Sequence, residues 1–118
     1  MRFEVKLGSE IIGYSELEGG DPPMGVAFGR FVATPAYISI QPYCIKHRDY
    51  WVAIPELSVC IPGGVLIECS GGIQIIDFSP ELSEAGIEVH VNGITNPPYH
   101  ELFPHQEEAY RSRSNNSG

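Results

Sequence analysis

Charged and apolar positions alternate at the start of the chain, and this pattern predicts a β-hairpin. Over residues 2–7 the alternation has the period of two that is typical of a strand with one buried and one wet face. Gly8-Ser9 supplies a turn, and residues 10–17 return as a second strand. The doublet Ile11-Ile12 and the following Gly13 interrupt the alternation in that strand, which indicates a β-bulge.

Three short apolar runs between residues 57 and 78 predict a three-stranded meander. Two loops that contain glycine separate these runs, Pro62-Gly63-Gly64 and Ser70-Gly71-Gly72. Burial of one apolar face selects one pair of facing residues at each loop: Ile61 opposite Val65, and Cys69 opposite Ile73. In this register Cys60 and Cys69 point to opposite faces, so no disulfide between them is expected.

Several further elements follow from local patterns. Strand-like alternation marks four segments: residues 26–30, 38–41, 50–54 and 87–91. Asn92-Gly93 predicts a tight turn after the last of them. Ser79-Pro80 predicts the start of a short helix, with Asp77 either capping that turn or lying desolvated at the sheet rim. Residues 101–113 predict another short helix.

Together these elements predict an all-β fold. Many short strands, ten prolines and thirteen glycines favour an antiparallel sandwich or a partly open barrel, with hairpins and one or two short helical turns. We expect a single β domain over residues 1–113 and a polar flexible tail over residues 114–118.

The stretch EGGDPPMGVAFGRF, residues 18–31, is unusually rich in glycine and proline. Its glycine spacing does not match a phosphate-binding loop, and Glu18 and Asp21 would repel phosphate. The segment Asp21-Pro22-Pro23 predicts a stiff corner. Two interpretations stay open: a structural corner that leads into a core strand, or an exposed docking loop. The apolar residues that flank such a loop are Met24, Phe28 and Phe31.

The same stretch carries a resemblance. Residues 16–25, ELEGGDPPMG, followed by Gly29-Arg30-Phe31, resemble a segment of small, acidic, uncharacterised bacterial proteins, some of them suspected toxin-immunity partners. The resemblance covers roughly the first quarter of the chain. It implies a bacterial origin and assigns no catalytic or binding residue.

The charge of the chain is strongly acidic and unevenly distributed. Seven Lys and Arg against fifteen Asp and Glu give a formal net charge of −8, which disfavours binding to nucleic acid or to an anionic membrane surface. Residues 49–110 contain ten acids and neither Lys nor Arg. Such a field attracts a cationic partner, although an acidic surface also serves solubility alone.

The sequence also bears on location. The first ten residues carry charges and no apolar core, so no signal peptide is expected. The longest uncharged apolar run, residues 57–67, is interrupted by Pro62-Gly63-Gly64 and is too short for a membrane span. Three cysteines without a framework spacing favour a reducing compartment. We therefore predict a cytoplasmic protein.

No motif in the sequence predicts catalysis, a metal or a cofactor. The segment YHELFPHQEE clusters His100 and His105 with acids, but Pro104 interrupts the spacing that a zinc site would need. Ser70 lies in a hairpin-like sequence rather than in a nucleophile motif, and Cys44 near His47 is too weak a signal to assign a catalytic pair. We expect no catalytic residue, no metal and no cofactor.

The leading hypothesis is a non-enzymatic interaction module, of inhibitor or immunity type, that binds a basic protein partner. Its partner-binding residues are predicted to be Glu81, Glu84, Glu88, Glu101, Glu107 and Glu108, together with Met24, Phe28 and Phe31. The alternative is a small-ligand-binding β-barrel or a small hydrolase-like enzyme with an aromatic pocket. That pocket would be lined by Phe28, Tyr43, Trp51 and Tyr99. Self-association through strand edges is a third expectation.

Overall fold

The structure, a computed structural model, describes the backbone of residues 1–116 and the side chains of residues 1–113. Within this described part of the chain, nine strands form two antiparallel sheets. The strands are β1 (Phe3–Leu7), β2 (Glu10–Ser15), β3 (Gly19–Asp21), β4 (Val26–Arg30), β5 (Val32–Ala33), β6 (Leu57–Ile61), β7 (Val65–Leu66), β8 (Glu68–Asp77) and β9 (Ile87–Asn96). The α-helices are α1 (Gln41–Lys46), α2 (Ser79–Leu82), α3 (Tyr99–Leu102) and α4 (Pro104–Asn116).

The first sheet has the strand order β5-β2-β1-β6-β7. Its β1–β2 hairpin is confirmed, and the register shifts between Val5 and Lys6, so that Ile12 is the extra residue of a bulge. The pairing of Ile61 with Val65 across the β6–β7 turn is also confirmed. Gly63 and Gly64 both have positive φ in that turn, which explains why glycine is needed there.

The second sheet has the order β3-β4-β9-β8 and corrects two predicted turns. Residues 70–72 lie inside the ten-residue strand β8, and Asn92-Gly93 lies inside the ten-residue strand β9. Gly72 pairs with Asn92 in an irregular part of this ladder, where Gly72 and Gly93 have positive φ. The predicted pairing of Cys69 with Ile73 was wrong. Glycines with positive φ occur in β-bulges as well as in tight turns, so the glycine pattern alone did not distinguish the two structures.

The helical segments bring two further corrections. Residues 38–41 were predicted as a strand, but Pro35–Ser39 forms a 3-10 helix and α1 follows it directly. Residues 50–54 contain no strand, although the amide of Ile54 donates to the carbonyl of Ile73 at the edge of β8 (2.9 Å). Prolines at residues 35 and 42 start helical turns here, which the short alternation concealed.

The C-terminal part of the chain is helical, as the sequence indicated. Helix α3 begins at Tyr99, earlier than predicted, and helix α4 continues to Asn116. The predicted flexible tail, residues 114–118, therefore begins within α4, and residues 117 and 118 lie outside the described residues. The flexibility of that tail stays a prediction.

One cluster of buried side chains draws on both sheets, including Phe3 and Val59 from the first and Val89 and Val91 from the second. The prediction of antiparallel sheets is confirmed, and both sheets are open rather than closed into a barrel. The term all-β is only approximate, because helices account for 32% of the chain against 42% for strands. Within the described residues, no helix has the length and apolar character needed to cross a membrane.

Candidate functional site

The chain passes from one sheet to the other at Phe31, which lies between β4 and β5. Its amide donates to the carbonyl of Ile87 at the start of β9 (2.9 Å), and its side chain is only 1% exposed. The Phe31 ring meets Tyr37 edge-on, with ring centroids 4.9 Å apart. Gly13 on β2 leaves the space for this ring, since a Cβ there would collide with it. This crossing sets the edge strand β5 beside β9.

A cleft of about 390 Å³ opens next to this crossing, and we call it the Tyr37 cleft. Its lining comes from β5, from the 3-10 helix and α1 that follow, and from the segment that runs from α2 to the start of β9. The lining residues are Ala33, Thr34, Pro35, Tyr37, Ile38, Gln41, Ser79, Ser83, Glu84 and Ile87. Ile38 is 73% exposed, which is unusual for so large an apolar side chain. The cleft therefore combines apolar walls with polar groups.

The polar groups of the cleft converge on a buried carboxylate. Asp77, at the end of β8, is fully buried. Its Oδ2 accepts hydrogen bonds from the Tyr37 hydroxyl (2.6 Å) and from Nε2 of Gln41 (3.2 Å). Its Oδ1 accepts from the backbone N–H of Ser79 (2.7 Å), so the capping role expected of Asp77 is present together with its desolvation. Nε2 of Gln41 also lies 3.4 Å from the Ser79 hydroxyl.

These contacts determine the charge of the network. Burial by itself would raise the pKa of Asp77, but hydrogen bonds from Ser79, Tyr37 and Gln41 outweigh it and lower that pKa below its usual value. Burial and the bond to Asp77 raise the pKa of Tyr37 far above normal. Burial also raises the pKa of the neighbouring Cys44 thiol to about 11. Near neutral pH the network thus holds one negative charge, a neutral tyrosine and a neutral thiol.

The Tyr37 cleft continues into two neighbouring depressions. A smaller one of about 110 Å³ shares Ala33, Glu84 and Ile87 with it and adds Arg30 and Val32. Beyond Arg30 lies a third, of about 360 Å³, where Arg2 stacks over the Tyr14 ring beside Glu16 and Glu18. The three depressions follow the outer edge of β5, and their chemistry changes from acidic and apolar at Tyr37 to mixed charge at Arg2.

The six acids predicted to bind a partner fall into two groups. Glu81, Glu84 and Glu88 lie where β9 begins, whereas the others lie on α3 and α4 after β9 ends. Glu107 and Glu108 line a depression with His100 and Arg111 that shares no residue with the Tyr37 cleft. Members of the second group are Glu101, Glu107 and Glu108. The structure does not bring the six acids into one patch.

Within the first group, two acids are already paired. Glu81 receives two hydrogen bonds from the Arg48 guanidinium (2.8 and 2.9 Å), and Arg48 also lies over the Phe78 ring. Glu88 lies 2.5 Å from Nε2 of His90. Glu84 is exposed and forms no ion pair with a described residue. Of the three, Glu84 alone lines the Tyr37 cleft.

The apolar residues of the predicted docking loop do not share one surface. Met24 is 67% exposed in the turn between β3 and β4. Phe28 is half-buried and stacks on His90, with ring centroids 5.2 Å apart. Phe31 is a core residue and cannot contact a partner directly, because it forms the crossing between the sheets. The predicted corner Asp21-Pro22-Pro23 lies instead where β3 ends in the 3-10 turn Pro22–Met24 of the β3–β4 hairpin.

The four aromatic residues of the alternative pocket differ in burial and in contacts. Tyr99 is buried, with its hydroxyl 2.8 Å from the carbonyl of Val26 and 2.7 Å from Oε1 of Gln106. The Tyr43 ring packs against His47 at a tilt, Trp51 is 53% exposed in the segment after α1, and Phe28 lies on the outer face of the second sheet. The three depressions along β5 are lined by other side chains. A pocket lined by these four residues stays a prediction.

Sequence reasoning did not identify Tyr37 and Gln41 as site residues. Both fall in or next to the segment that was predicted as a strand, so nothing placed them near Asp77. Asp77 itself carried a signal, because the period of β8 put an acid on the dry face. In residues 1–113, no group of three or more His, Cys, Asp or Glu side chains is arranged to hold a metal ion.

Comparison with protein-family models, with curated proteins and with solved structures gives no match to this chain. The resemblance of residues 16–31 to small acidic bacterial proteins stays a prediction.

Proposed function

We propose that this protein is an interaction module of inhibitor or immunity type, and that it binds an extended, basic segment of a protein partner in the Tyr37 cleft. One observation carries the proposal. The cleft combines exposed apolar walls with Glu84 at its rim and the Asp77 carboxylate beneath it, and no Lys, Arg or His is among its lining residues. A basic peptide matches both properties.

The overall charge supports the same partner class. With a net charge of −8, and ten acids against no Lys or Arg over residues 49–110, the molecule attracts cationic proteins from a distance. Long-range attraction increases the rate of encounter, while the cleft supplies the short-range contacts. Association should therefore weaken as salt concentration rises.

An extended partner fits the edge of β5. Backbone groups of successive residues in a strand point to opposite sides. The amide of Thr34 donates to Ile12 in β2, and the amide of Phe31 donates away from β2 to Ile87. The N–H and C=O of Ala33 therefore point away from β2, toward the cleft that Ala33 lines. A partner strand could form hydrogen bonds with these groups.

A peptide-display selection on the immobilised protein tests the proposal, followed by affinity measurements with the tightest peptides. We expect peptides rich in Lys or Arg that also carry apolar residues. Glu84→Lys should weaken their binding by roughly tenfold or more, because it places a like charge at the cleft rim. Glu108→Lys is the matched control, since it changes the net charge equally at an exposed position on α4. Equal losses for both variants would contradict binding at the cleft.

The alternative function, a small-ligand-binding barrel or a hydrolase-like enzyme, depended on an aromatic pocket. The four residues proposed for that pocket do not line the depressions along β5, so no observation favours it over the interaction module.

A further inference from the structure

We infer that the Tyr37 cleft contains a subsite for one cationic side chain, arginine or lysine, of the partner segment. The inference rests on the proposed function and specifies its chemistry. Three features support it: the charge beneath the cleft, the hydrogen-bonding roles of the lining groups, and the apolar walls beside them.

The charge beneath the cleft is not balanced by a cation. All three groups that bond Asp77 are neutral: a hydroxyl, a carboxamide and a backbone amide. No Lys, Arg or His side chain among residues 1–113 forms an ion pair with it. A buried charge without a counter-charge keeps a field that little solvent screens. A cation entering the cleft would therefore be attracted to Asp77 through a single layer of polar groups.

The orientation of those polar groups selects a donor. Because the Tyr37 hydroxyl donates its only hydrogen to Asp77, it has no donor left for a ligand in the cleft. Nε2 of Gln41 is directed to Asp77, which leaves the amide oxygen as an acceptor. Ser79 also lines the cleft. The network thus offers acceptors to the cleft, which suits the N–H groups of a guanidinium or ammonium and disfavours an anion.

The walls of the cleft suit the rest of such a side chain. Pro35, Ile38 and Ile87 supply apolar surface beside the acceptors, and the aliphatic stem of lysine or arginine packs on surfaces of this kind. Glu84 adds a second carboxylate at the rim. A side chain with a stem and a terminal cation therefore fits better than a small inorganic cation, which would not use the walls.

A double-mutant cycle between peptide and protein tests the subsite. The probe is the tightest Lys- or Arg-containing peptide recovered by the display selection, with each Arg replaced in turn by neutral citrulline and each Lys by norleucine. We expect one position to dominate, with a loss of about tenfold. That loss should shrink in Glu84→Gln and in Asp77→Asn, and it should stay unchanged in Glu108→Gln. Glu84 is exposed, so its variant keeps the test valid if Asp77→Asn is poorly folded.

The outcomes separate the two proposals. If citrulline or norleucine costs the same in Glu84→Gln and Asp77→Asn as in the parent protein, or if no position dominates, the subsite is wrong while peptide binding stands. If the selection recovers no basic peptides, the proposed function fails and the subsite fails with it. Comparing the arginine and lysine versions at the dominant position shows which cation the subsite prefers.

Discussion

Each end of strand β9 lies near three of the acids predicted to bind a partner and near a buried tyrosine, yet the two tyrosine hydroxyls have different hydrogen-bond partners. At the start of β9, the Tyr37 hydroxyl donates to the charged Asp77. Beyond its end, the Tyr99 hydroxyl lies between the carbonyl of Val26 and the amide oxygen of Gln106, and Nε2 of Gln106 donates to the carbonyl of Leu17. The first network lies under an open cleft, whereas the second joins helix α4 to the sheet through hydrogen bonds.

This difference shows that acid content alone does not identify a binding surface. Near α4 the polar groups form hydrogen bonds with one another and with the backbone. Gly20 must be glycine there, because a Cβ would collide with both Tyr99 and Gln106. Near Tyr37 the polar groups hold a buried charge whose field reaches a solvent-filled space. Because the hydrogen-bond partners of Asp77 are neutral, its negative charge stays unbalanced beneath the cleft.

The largest expected effect on folding comes from removing each tyrosine hydroxyl. Tyr37→Phe should lower the free energy of unfolding by about 2 kcal/mol, because a buried carboxylate loses a donor. Tyr99→Phe should lower it by about 1 kcal/mol, since its partners are neutral. Urea unfolding of both variants measures the difference. A larger loss for Tyr99→Phe would reverse the proposed contrast between the two ends.

The two arginines that form ion pairs with glutamate should differ less in their contribution to the free energy of unfolding. Arg48→Ala removes a two-bond ion pair with Glu81 and the contact with Phe78, so we expect a loss of about 1 kcal/mol in unfolding free energy. Arg111 lies 3.8 Å from Glu107 on exposed helix α4, and Arg111→Ala should cost less than about 0.5 kcal/mol. Thermal unfolding at low and high salt compares the two variants, and equal losses would contradict a stronger ion pair at Arg48 than at Arg111.

The smallest effect should appear in the pH dependence of stability. The pKa of Asp77 is lowered in the folded protein, so its charged form stabilises the fold above the unfolded pKa, about 3.9. That contribution is lost as the pH falls through the folded pKa. The difference in unfolding free energy between the parent protein and Asp77→Asn should be constant from about pH 5 to 8 and decrease below about pH 4. A difference that grows on acidification would mean that the folded pKa is raised.

Much of the fold followed from the sequence, because local alternation and glycine turns act over short distances. The β1–β2 hairpin, its bulge, the pairing of Ile61 with Val65 and the strand containing Val89 were all predicted. The predictions were wrong where one sequence pattern is compatible with two backbone structures. Gly72 and Gly93 provide positive φ inside a bulged ladder rather than at turns.

The candidate site was less predictable, because it depends on contacts between distant residues. Asp77 and Tyr37 are forty positions apart, and no local pattern connects them. The charge map pointed to acids but could not tell that Glu84 lines a cleft without Lys, Arg or His, while Glu108 lines a depression that also contains His100 and Arg111. Only the crossing of the chain at Phe31 brings β5, the Pro35–Ser39 turn and α2 together.

The most direct test of the central claim is a hydrogen-exchange footprint of the tightest basic peptide on the full chain. We predict protection of the backbone amides in residues 33–41 and 79–87, which border the Tyr37 cleft, and unchanged exchange in residues 99–113. Protection confined to residues 99–113 would contradict the account, because the partner would then bind the acids of α3 and α4.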